Sequence, residues 1–139
     1  MRAVVDTNVI AYFLLGTEPF REECRDFWRR VEAALAPASW EPEVANVLWM
    51  AARTKVVDVV EALRRLDLAR ALEIQSVPVP SLWHGALVRA CSSGIAAYDT
   101  LFVELAARED LPLATFDRAV LVAFPDIAKR PGELPRFST

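Results

Sequence analysis

The chain has 139 residues, 54% of them apolar and 25% charged, with a formal net charge of −3. That length suits one well-buried domain better than two, and no apolar run approaches the roughly 18 uninterrupted residues of a membrane span. The acidic balance excludes a protein that grips nucleic acid mainly through a basic surface, because that mode needs many cationic contacts to phosphate.

Cys24 and Cys91 lie far apart, in no metal-binding or redox spacing, and read as thiols in a reduced compartment. Asp6 and Asn8 interrupt the first apolar run too early for a signal peptide. A cytoplasmic location without membrane attachment is therefore expected.

In chain order, Ala3-Val4-Val5 is a short apolar run that reads as a buried strand ending at Asp6. Val9, Ile10, Phe13 and Leu14 then recur at helical spacing until Gly16 stops them. From Glu18 to Leu35 the positions Phe20, Cys24, Phe27, Trp28, Val31 and Leu35 form one apolar stripe, which predicts a single helix closed by Pro37. Arg21, Arg25 and Arg29 line another face of it, a solvated face or a surface for RNA or a protein. Ala38-Ser39-Trp40 reads as a short strand or turn, and Pro42 suits the first turn of a further helix carrying Glu41 and Glu43.

Val56 to Leu72 predicts an amphipathic helix with Val59, Val60, Leu63 and Leu66 inward. The prolines of Gln75 to Pro80 confine that extended stretch to a sheet edge or a linker. Ser81 is placed to cap a helix running to about Ser92, and a second helix is expected to begin near Asp99. Leu113-Ala114-Thr115 reads as another buried strand, with Asp117 capping the helix after it, and Ile127-Ala128-Lys129 as a last short strand. The proline-rich end from Pro131 to Thr139 predicts an irregular tail on one domain spanning 1–139.

Asp6, Glu43, Asp99 and Asp117 each stand where an extended or turn-like stretch gives way to a helical pattern. In open α/β sheets that carboxyl edge is where ligands bind. Carboxylates without His, Cys or Lys partners suit hard cations such as Mg²⁺ or Mn²⁺, which prefer oxygen ligands. The bland alternative is structural: Asp99 and Asp117 as helix caps and Glu43 as a first-turn acid, each contributing about 1 kcal/mol. Asp6 is harder to explain so, since a carboxylate at the end of a buried strand needs a partner that no neighbouring Lys or Arg in sequence supplies.

Asp6-Thr7-Asn8, Glu43-Val44-Ala45-Asn46, Tyr98-Asp99-Thr100 and Thr115-Phe116-Asp117 together resemble the ordered acidic motifs of PIN-domain ribonucleases, especially the VapC-type toxins of toxin–antitoxin pairs. The resemblance spans about Met1 to Lys129. It implies a three-layer α/β/α sandwich with a mostly parallel central sheet, and a Mg²⁺- or Mn²⁺-dependent endoribonuclease that hydrolyses RNA. By position, Asp6, Glu43, Asp99 and Asp117 match the family's metal-binding acids, and Asn8 and Thr115 its supporting polar positions. A homodimer and a small antitoxin partner are further implications. The chain departs from the pattern at its end, where Pro125, Pro131 and Pro135 stand in place of a clear Val/Ile-rich strand. A receiver-like or dehalogenase-like reading lacks its Lys or its second Asp, since Asn8 occupies that place. The alternative of another class is a PIN-like module that binds RNA or protein without cutting it.

Overall fold

The computed structural model describes residues 1–135. Five strands, β1 (Arg2–Val5), β2 (Ala33–Pro37), β3 (Gln75–Val77), β4 (Leu113–Ala114) and β5 (Ala128–Lys129), form one sheet in the order β3-β2-β1-β4-β5. Every pairing is parallel. Parallel strands need crossovers, and helices supply them: α1 (Thr7–Leu15), α2 (Arg21–Arg30), α3 (Trp40–Arg53), α4 (Val59–Ala71), α5 (Trp83–Ser93), α6 (Ala97–Glu109) and α7 (Arg118–Ala123). α1 packs on α2, α3 and α4, whereas α6 lies over β1, β2 and β4 and carries α5 on its outer side. The result is the expected three-layer α/β/α architecture.

β1 is the middle strand. Val4 and Val5, fully buried, pair with Leu113 and Ala114 on one side, and Val4 with Leu35 on the other. From β1 the chain winds outward one way through β2 and β3, then crosses over to build β4 and β5 on the other flank. The strand order therefore reverses between β1 and β4. At such a switch point the flanking crossovers diverge and leave a crevice beyond the carboxyl ends of the strands. Asp6 follows β1 and Thr115 follows β4 directly, so both sit at the floor of that crevice.

Three expectations require correction. The helix predicted over Glu18 to Leu35 ends at Arg30, and Leu35 belongs to strand β2 rather than to the apolar stripe. Val31 turns extended, Glu32 N donates to Met1 O at 2.8 Å, and Ala33 to Pro37 are paired with β1 and β3. Buried on both faces, such a strand shows no alternation, and its alanines carry helix propensity that the sheet overrides. Of the two readings of Ala38 to Trp40, the turn holds for Ala38 and Ser39, and Trp40 already opens α3.

The second correction concerns α4. Val59, Val60, Leu63 and Leu66 point outward, at 67%, 60%, 58% and 40% exposure. α4 rests mainly on α1 and α3 rather than on the sheet. Ala69 is its buried residue, and Arg65 reaches the carbonyl of Leu14.

The third is local. Ser81 lies in a 3₁₀ turn over Val79–Leu82 and donates to Pro78 O, so it does not cap α5. The chain after β5 packs back on α2. Arg30 donates to the carbonyls of Pro131, Leu134 and Pro135, and Arg130 pairs with Glu23 at 2.7 Å. Residues 136–139 of the expected irregular tail lie outside the described residues.

Candidate active site

Asp6 is the N-cap of α1: its Oδ1 accepts from Thr7 N at 2.8 Å, satisfying one of the helix's unpaired donors. Its Oδ2 accepts from Thr115 Oγ1 at 2.7 Å, across the β1–β4 junction. Asn8 braces the same pair, with Nδ2 at 3.4 Å from both Asp6 Oδ2 and Thr115 Oγ1. Its Oδ1 takes Phe116 N at 3.2 Å. Thr115 Oγ1 in turn accepts from Asp117 N at 3.0 Å, so one hydroxyl couples two of the acids. Asn8 and Thr115 thus both hydrogen-bond the Asp6 carboxylate.

Glu43 arrives from the first turn of α3. Its Oε2 accepts from Thr7 Oγ1 at 2.6 Å, while its Oε1 is buried without a hydrogen-bond partner. Ser39 Oγ is buried beside it without a hydrogen-bond partner of its own, and works against the upward push of burial on this carboxylate. Asp99 sits in the first turn of α6, half-buried, with no side-chain hydrogen bond among the described residues. It is therefore not a cap. Asp117 does cap α7, accepting from Ala119 N at 2.9 Å and Val120 N at 3.3 Å.

All four carboxylates line one cleft of about 330 Å³, together with Thr7, Asn8 and Tyr12. A larger hollow of about 740 Å³ lies between α5 and α6 but holds no acid, only apolar side chains besides His84 and Tyr98. The chemistry belongs to the smaller, acidic cleft.

Electrostatics bind the acids into a unit. Burial pushes Asp6 up to about 7, against the bonds from Thr115 and Thr7 and with help from the charges of Asp99 and Glu43. Burial likewise raises Glu43, opposed by the Thr7 bond and reinforced by Asp99. Asp99 is raised by burial and then by Asp117. No Lys or Arg lines the cleft. Like charges held together in a partly dry site favour a bound cation.

Among the described residues no three His, Cys, Asp or Glu side chains converge closely enough to enclose a metal ion. Mg²⁺ does not require such a cage, since it commonly takes one or two carboxylates and keeps several waters. The unpartnered Glu43 Oε1 is an acceptor that a water would satisfy and an oxygen ligand that a hard cation would take. The acids therefore fit a hydrated hard cation.

Thr7 is the residue that sequence reasoning passed over. The signal was a hydroxyl directly after the strand-end aspartate, but its partner lies 36 positions away. Compared with known proteins, the sequence matches the PIN domain over residues 3–129. No curated protein matches the chain.

Proposed function

This chain belongs to the PIN domain family, whose members are typically nucleases and commonly bind divalent metals, and we propose that it is a Mg²⁺- or Mn²⁺-dependent endoribonuclease. The observation that carries this reading is the cleft itself: four carboxylates from four different segments, one with a buried oxygen left unpaired. A structural role accounts for Asp6 and Asp117 as caps but leaves Asp99 and Glu43 Oε1 without a purpose.

Asp6, Glu43, Asp99 and Asp117 would hold the metal, one or two of them directly and the rest through its waters. The chemistry it would supply there is activation of a water and offsetting of charge on the leaving oxygen of a phosphodiester. The chain's own residues do the placing. Thr115 and Asn8 fix the Asp6 carboxylate, and Thr7 fixes Glu43, so that neither must reorganise when substrate enters. The raised affinity of Asp6 for a proton means that metal and proton compete for it.

The finer reading is a toxin held in check by a small antitoxin, acting as a homodimer in the cytoplasm. Two exposed apolar surfaces support protein partners: the Val59, Leu63, Leu66 face of α4, and the Trp83, Leu87, Val88 face of α5. No helix is long and apolar enough to cross a membrane.

The test is cleavage of structured RNAs with and without Mg²⁺, beside an Asp99→Asn control. Metal-dependent cleavage that the control lacks is the expected result. Stable RNA binding without cleavage at any metal concentration would instead assign a non-catalytic module.

A further inference from the structure

We propose that Arg21, Arg25 and Arg65 form a phosphate-binding subsite that holds the RNA backbone alongside the acidic cleft. The inference rests on the ribonuclease reading for its substrate and on a separate pocket for its residues. That pocket, about 330 Å³, is lined by Phe13, Leu15, Gly16 and the three arginines, with no acidic side chain among them. Leu15 lines the acidic cleft as well, so the two hollows adjoin across one side chain at the end of α1.

The local geometry shows how the cations are brought together. Gly16 closes α1 in the left-handed conformation, φ 64°, which turns the chain toward α2. Arg21 and Arg25 are one helical turn apart on α2, both exposed. The Arg21 side chain runs past Gly16, where an added Cβ would meet its Cδ and Nε at 4.0 Å. Arg65 comes from α4 and is fixed by Glu61 at 2.7 Å and by the Leu14 carbonyl. The Arg25 guanidinium has only an exposed contact with Glu22 at 3.5 Å, and the Arg21 side chain has no ion pair or hydrogen bond among the described residues. Arg29, the third arginine of the stripe, is turned back to the Arg25 carbonyl and does not line the pocket.

Charge supplies the reason for an RNA strand to need this pocket. A chain of net charge −3 with four carboxylates in its cleft repels a polyanion. A metal at the acids offsets one phosphate, and neighbouring phosphates require fixed cations close by. Guanidinium groups suit phosphate because their planar N–H donors pair with its oxygens.

The test measures binding of a labelled single-stranded RNA oligonucleotide of mixed sequence across a salt series, in EDTA, where metal-dependent cutting is stopped. Each phosphate contact to a single strand contributes about 0.7 to the slope of log affinity against log salt. The Arg21→Ala/Arg25→Ala variant should therefore lose about 1.4 from that slope, with weaker binding at low salt. Arg21→Lys/Arg25→Lys should keep most of the slope, and Arg29→Ala should behave as the unaltered chain. With Mg²⁺, the double alanine variant should show a raised KM with kcat little changed. Arg65 is left intact because it also supports α1, and thermal melting verifies the fold of each variant. Should the double variant melt early, Arg21→Ala alone, which loses no described partner, carries the same test at half the slope change. An unaltered slope in the alanine variants, or no RNA binding by the parent chain, overturns the subsite. Full binding that depends on these arginines, without cleavage, upholds the subsite and removes the ribonuclease reading instead.

Discussion

Thr7 Oγ1 donates to Glu43 Oε2 at 2.6 Å and thereby ties the first residue of α1 to the first turn of α3. The bond anchors one oxygen of Glu43, a residue that lines the cleft, and leaves the other buried without a hydrogen-bond partner. Thr7→Val keeps the shape of the side chain and removes the donor. Supporting partners of this kind typically contribute ten- to a hundredfold in metal affinity or activity. We expect cleavage to fall by about that range, with the Mn²⁺ concentration for half-maximal rate raised. Unchanged kinetics in Thr7→Val would show that Glu43 needs no orientation.

Asp99→Asn separates function from stability. Asp99 caps nothing, and its carboxylate is raised by burial and then by the charge of Asp117. A neutral amide relieves that repulsion, so the metal-free variant should melt no lower than the parent. Cleavage should drop at least about a hundredfold, roughly 2.7 kcal/mol of transition-state stabilisation. A well-folded variant cutting at the parent rate excludes Asp99 from the catalytic set.

Much of the site was legible because strand ends announce themselves: Val4-Val5 before Asp6, and Leu113-Ala114 before Thr115, are apolar runs too short for anything but buried strands. Glu43 was legible through Pro42, which marks a helix's first turn. The limits are equally physical. β2 was lost because Ala33-Ala34-Leu35-Ala36, buried on both faces, has neither alternation nor β-branching to betray it. The orientation of α4 was lost because an apolar stripe says that a face seeks cover without saying whether the same chain provides it. Arg21 and Arg25 showed their spacing in sequence, but Arg65, 40 residues beyond, joins them only through the packing of α4 on α1.

Gly85 tests the packing of α5 on α6, the helix that carries Asp99. A Cβ at Gly85 would stand 2.1 Å from Glu104 Cδ and little farther from its oxygens. That carboxylate is largely buried and held by Arg89 at 3.1 Å and Arg108 at 3.2 Å, so it cannot simply swing aside. Gly85→Ala should destabilise the fold by about 1–3 kcal/mol, as overpacking does. A urea midpoint lowered at constant slope is the expected signature. Full stability in this variant would mean that α5 and α6 are not closely packed here.

The pH dependence of the metal-free fold follows from Asp6. Its carboxyl, ordinarily 3.8, is held at about 7 in the folded chain, chiefly by burial. Between those values the folded state binds more protons than the unfolded one, so unfolding free energy falls as pH rises. Stability from this group is present below about pH 4 and is lost progressively as pH passes through about 7. Glu43 and Asp99, also raised, add in the same direction. Glu23 works oppositely: burial alone would raise it, but its bonds from Arg130 and Gly132 N prevail and lower it, so its contribution is lost only in acid, below the window of interest. In EDTA, urea melts should therefore show lower stability at about pH 8 than at about pH 5. Asp6→Asn should reduce that difference while leaving the sign set by the other two acids. Saturating Mn²⁺, about a hundredfold above its Kd, should add roughly 2.7 kcal/mol, and more of it at the higher pH, where no proton competes for Asp6. Apo stability that rises between the two pH values, or a manganese effect that is larger in acid, would contradict a protonated, cation-seeking Asp6 at the heart of the cleft.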